Sequence, residues 1–62
     1  LWYNVVMKVG DLVKFRCPTT KHVGKVYLVV WRQGQWIRLH TKEYLANCAH
    51  AIKDFEVVNE SR

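Results

Sequence analysis

Five residues of this chain are of the types that hold zinc or attack a carbonyl carbon: Cys17, His22, His40, Cys48 and His50. Structural zinc sites draw their ligands from two closely spaced pairs. Cys17 with His22, and Cys48 with His50, are off that pattern, the second pair having a single residue between its members. Cys48 reads more simply as a small apolar side chain packing beside Tyr44 or Ile52. A thiol and a histidine can also imitate a nucleophile and its base. A chain of 62 residues, however, has little room for a pocket that positions substrate and excludes water. The five carboxylates are scattered, and Gly10, Gly24 and Gly34 are isolated turn glycines rather than a phosphate-cradling loop. The reading is a non-enzyme with no catalytic residue, no metal and no cofactor.

A second constellation points to binding. Residues 23–41, VGKVYLVVWRQGQWIRLHT, bring Tyr27, Trp31, Arg32, Trp36, Arg38 and His40 into one stretch, with Lys21 and Lys25 close by. Exposed rings stack on unpaired bases while cations follow phosphates. An exposed Trp beside an Arg equally suits a protein–protein hot spot. The plainer alternative is that the Trp rings close the core and the cations only solubilise the surface. The candidate binding residues are Trp36, Arg38, His40, Arg32, Trp31 and Lys25, and the candidate partners are nucleic acid or another protein. Ten Lys/Arg against five Asp/Glu give a formal charge of +5, which favours acidic or phosphate-bearing partners. Three fewer lysines would nearly remove that excess.

The elements that must position these residues are strands. Val9, Val13 and Phe15 share one strand face with Lys14 and Arg16 opposite, so residues 11–16 read as a first strand entered through a Gly10-Asp11 turn. Residues 17–24, bounded by Pro18 and Gly24, read as a loop. Residues 26–31 and 35–40 read as a hairpin with two open registers. A Gln33-Gly34 turn places Val26, Leu28 and Val30 inward and Trp31 outward. A three-residue Arg32-Gln33-Gly34 turn slips the second strand by one residue, pairing Val29 with Ile37 and Tyr27 with Leu39 and turning Trp31 inward. In both, Ile37 and Leu39 face in while Trp36, Arg38 and His40 face out. Residues 41–51 read either as a helix, with Thr41 capping and Tyr44, Cys48 and Ile52 four apart, or as a short strand at 43–46, which a barrel favours. A tight turn at 52–54 then leads to a closing strand with Phe55 and Val57 inward. The expected core is Val13, Phe15, Val26, Leu28, Val30, Ile37, Leu39, Phe55 and Val57.

Size and composition bound the whole. Sixty-two residues make one domain with a small core, and half of them are apolar, too many for a disordered chain. The longest apolar run, residues 26–31, is far below the roughly 20 residues of a membrane span, so no membrane partner is expected. Residues 1–6, LWYNVV, read as an upstream extension before a start at Met7 or as an extra edge strand, and 59–62 as a polar tail. A homodimer through 1–6 or an unpaired edge strand is a further expectation. Cys17 and Cys48 read as reduced thiols in a cytoplasmic setting. The order GDLVKF, irregular loop, long hairpin, short strand, turn and FEVV resembles the small SH3-like barrels. In particular it is similar to short uncharacterised proteins of marine and cyanobacterial phages that open on a KVGDLV-type strand and close on an LEVV-type strand. The matching residues are 8–15, 24–30 and 54–58, with Phe55 where Leu is usual. The resemblance implies a five-stranded all-β barrel with at most a short helical turn, in a host cytoplasm, and carries no activity with it.

Overall fold

The computed structural model describes residues 7–58, so the expectations placed on 1–6 and 59–62 lie outside the described residues. Five strands form: β1 (Leu12–Phe15), β2 (Tyr27–Gln33), β3 (Trp36–His40), β4 (His50–Ala51) and β5 (Phe55–Val57). They make one antiparallel sheet in the order β4-β3-β2-β1-β5, which is all-β as the alternation implies. The edge strands β4 and β5 do not pair with each other, so the sheet is open. They are nevertheless joined by a 3-10 turn of three residues, Ile52–Asp54. A flat five-stranded sheet would hold its edges about 19 Å apart. Three 3-10 residues advance only about 6 Å. The sheet must therefore curl until its edges approach, and the His50 ring on β4 meets the Phe55 ring on β5 edge to face at 5.9 Å.

The hairpin follows neither expected register. Gln33 pairs with Trp36, so the turn is Gly34-Gln35, with Gly34 at φ +60°, a conformation open to glycine at little cost. Arg32 then opposes Ile37 and Trp31 opposes Arg38, but the next pair is Val29 with Leu39. Val30 is the extra residue of a β-bulge. One inserted residue turns over everything on its N-terminal side. Tyr27 and Val29 thus enter the core, the side the three-residue turn would give them, whereas Val26, Leu28 and Val30, named in the expected core, lie on the solvent side. Without the bulge Val30 would face Leu39 and the expected inner face would stand.

The concave side of the curl holds the core: Met7, Val13, Tyr27, Val29, Ile37, Leu39, Leu45, Ile52 and Phe55, with Phe15 and Val57 packed at its margin. Val9, expected in line with Val13, is exposed. The Gly10-Asp11 turn intervenes, Asp11 N donating to Lys8 O and Asp11 Oδ2 accepting from Lys8 N at 3.0 Å. The 41–51 segment corrects both expectations. It forms a 3-10 turn, Tyr44–Asn47, which sends Leu45 inward, and the fourth strand lies later, at His50–Ala51. Thr41 Oγ1 accepts from Glu43 N at 3.2 Å, but Glu43 and not Thr41 is the residue that opens the turn. Among the described residues no helix is long and apolar enough to cross a membrane.

Candidate binding face

Strand alternation on β3 sends Ile37 and Leu39 into the core and Trp36, Arg38 and His40 to the convex face. The bulge adds to this face from β2, because Val30 and Trp31, consecutive in sequence, both point outward. Cross-strand pairing sets the neighbours: Trp31 beside Arg38, Leu28 beside His40, and Trp36 beside Gln33. Trp31 and Trp36 are therefore diagonal neighbours, about 7 Å apart at Cβ. The Arg38 guanidinium carbon lies 5.7 Å from the centroid of the Trp31 ring, within cation–π range. Trp36 is 52% exposed, Trp31 37%, Val30 45% and Leu28 36%, so the patch is apolar at its middle and cationic at its side.

Four of the six candidate residues are thus brought together: Trp31, Trp36, Arg38 and His40. Arg32 is not among them. Its pairing with Ile37 turns it to the concave side, where its guanidinium donates to the Met7 and Gly34 carbonyls and so ties the incoming chain to the hairpin. Lys25 lies at the other end of β2. Its Nζ donates to Glu43 Oε2 at 2.6 Å.

Glu43 is a centre that the residue pattern did not reveal. Besides Lys25 it accepts from Tyr27 Oη at 3.1 Å, and His22 Nδ1 stands 4.0 Å away. His22 itself stacks on Phe15 with ring centroids 4.6 Å apart. The Lys25 hydrogen bond, helped by Tyr27, holds the Glu43 carboxyl below its ordinary pKa against the opposing effect of burial. Burial first, and then the Glu43 carboxylate, push the Tyr27 phenol up. These contacts fasten the 17–25 loop and the Tyr44–Asn47 turn to β2. Nothing in the residue types of Lys25, Tyr27 and Glu43 announces that they meet, since they lie up to 18 positions apart.

Cys17 and Cys48 are exposed and not joined to each other. Cys48 Sγ sits 3.8 Å from His50 Nε2, but that nitrogen is also 2.8 Å from the Leu45 carbonyl. A carbonyl accepts only, so Nε2 carries the proton there and is not a base toward the thiol. Among the described residues no three His, Cys, Asp or Glu side chains converge as metal ligands would. Comparisons of the chain with protein-family models, curated proteins and solved structures found no match.

Proposed function

We propose that this chain is a non-catalytic SH3-like binding module whose convex sheet face takes nucleic acid. The element order and the curl forced by the three-residue link between β4 and β5 support the SH3-like reading. The observation that carries the ligand is the Arg38 guanidinium held over Trp31 with Trp36 open on the same face. Rings and cation together offer a base a stacking surface and a phosphate a donor, and the formal charge of +5 favours a polyanion. The test is fluorescence anisotropy of a labelled single-stranded oligonucleotide with the whole chain. Binding should weaken steeply with salt, and Trp36→Ala should reduce it by about tenfold to a hundredfold, the worth of one stacked base. No anisotropy change at low salt would overturn the reading.

A second reading, a protein-interaction or homodimeric module, is favoured by Leu28 and Val30, which make the same face more apolar than a phosphate track requires. Edge-strand pairing through β5 is disfavoured. Arg16 N donates to Asp54 O and Val58 N to Leu12 O, so alternation turns the Phe55 carbonyl away from β1, toward the open edge. The Arg16 guanidinium occupies that carbonyl at 2.7 Å and reaches Lys53 O at 3.2 Å. Self-association would therefore use the face rather than the β5 edge. It would appear as a mass that rises with concentration in sedimentation.

A further inference from the structure

The convex face does not end at the tryptophans. Pairing of Leu12 with Leu28 and Val13 with Tyr27, continued by one residue, sets Lys14 beside Val26 on the same outward side. Lys14 opens into a cleft of about 210 Å³ between β1, β5 and the 17–25 loop, lined among others by Arg16, Pro18, Val23, Lys25 and Glu56. From Gln33 and Trp36 at the hairpin to Val26 and Lys14 at the cleft, β2 runs roughly 23 Å. That is most of the molecule's longest extent, 27 Å. The two ends differ in chemistry. The hairpin end carries Trp31, Trp36 and Arg38; the cleft end carries Lys14 and Arg16 against the one carboxylate that lines it, Glu56, while Lys25 at its rim is held by Glu43. Glu56 sits 3.5 Å from Lys14 and 3.7 Å from Arg16, half-exposed, so the cations are gathered there by an exchangeable surface anion.

Resting on the nucleic-acid reading, we infer that the ligand is an unpaired strand of about four nucleotides, the low end of known single-strand site sizes. It lies along the outer side of β2, with its bases stacked at Trp31 and Trp36 and a phosphate in the Lys14 cleft in place of Glu56. A duplex hides its base faces and cannot use the tryptophan end.

Anisotropy titrations with labelled oligothymidylates of two, four and eight nucleotides, and with a hairpin duplex, test this together with Lys14→Gln and Glu56→Gln. Affinity should climb from two to four nucleotides and then level, and the duplex should bind more weakly than the eight-nucleotide strand. Lys14→Gln should weaken binding about threefold or more and lower the salt slope by about 0.7, one phosphate contact on a single strand. Glu56→Gln should strengthen binding. Both variants lose the same Lys14–Glu56 pair, so a folding defect would weaken both, and the opposite signs isolate the cleft. If no strand binds, the nucleic-acid reading itself fails. If strands bind but the duplex binds equally well, or both substitutions leave the affinity and slope unchanged, the track along β2 fails and the broader reading stands.

Discussion

Val29 and Val30 are neighbours of the same type, yet Val29 is 0% exposed on the concave face and Val30 is 45% exposed on the convex one. The contrast extends along the sheet. Concave Tyr27, Val29, Ile37 and Leu39 share one buried cluster with Met7, Leu45 and Ile52, which come from outside these strands. Convex Leu28, Val30, Trp31 and Trp36 are as apolar and, among the described residues, receive no such cover. Apolar character therefore does not decide which face becomes core in this chain. Curl decides it, because the short link between β4 and β5 makes one face concave and gives it material to enclose. The other face keeps exposed apolar surface, which in a small protein marks a place of contact.

The two valines give the most direct way to break this comparison. Val29→Ala removes two buried methyl groups and leaves a cavity, a cost of about 2 kcal/mol. Ile37→Ala, larger and equally buried, should cost about 2–5 kcal/mol. For a domain of this size that is a large share of the total stability. Val30→Ala should stay within about 0.5 kcal/mol, as surface substitutions do. Urea denaturation followed by circular dichroism measures all three. Equal losses at Val29 and Val30 would mean that the bulge does not set the faces, and a larger loss at Val30 would restore the regular hairpin.

A smaller effect sharpens the convex side of the comparison. If Arg38 is held over Trp31 by cation–π attraction, a double-mutant cycle of Arg38→Ala and Trp31→Leu should show a coupling of about 0.5–1 kcal/mol in stability. The matching cycle of Arg38→Ala with Trp36→Ala should show little coupling, because no ring–cation contact joins that pair. Equal coupling in both cycles would make the convex face a single packed unit rather than one preorganised ring beside an open one.

The strands were legible in the residues where alternation is unbroken. Trp36–His40 reads the same in every register, and the turn before Phe55 follows from Ile52-Lys53-Asp54. The inner face of β2 was legible only as two alternatives, Val26, Leu28 and Val30 or Tyr27 and Val29. Val26, Leu28 and Val30 suit a core as well as Tyr27 and Val29 do, and a bulge leaves no mark when the residues on either side of it are alike. Arg32 stands apart from the convex group for the same reason, since its side follows from the register and not from its charge. Met7, Leu45 and Ile52 enter the core from outside the strands, so period-two reasoning passes over them. Glu43 becomes a centre only through folding, which brings Lys25 and Tyr27 to it from the far side of the hairpin.

That carboxylate gives the last and smallest effect, at the polar tip of the concave face. Tyr27 packs its ring edge-on to Phe15 at 6.1 Å and directs its hydroxyl to Glu43. The Lys25 hydrogen bond lowers the folded pKa of Glu43 below its ordinary 4.5. A lowered carboxyl pKa contributes stability that is present above the unfolded value and is lost as pH falls through the folded one. The Tyr27 phenol, raised above 10.0 chiefly by burial, contributes stability that is present below 10.0 and is lost as pH rises through its folded value. Glu43→Gln keeps an acceptor for Tyr27 and removes the charge. Thermal melts should therefore place the variant below the parent near pH 7, with the gap closing as pH drops past 4.5. On the alkaline side both proteins should lose stability above pH 10, the parent somewhat more steeply, because burial acts on Tyr27 in both and the carboxylate only in one. A gap that persists unchanged to pH 3 would mean that Glu43 acts by shape rather than charge, and the loop would then be held to the sheet by the His22–Phe15 stack.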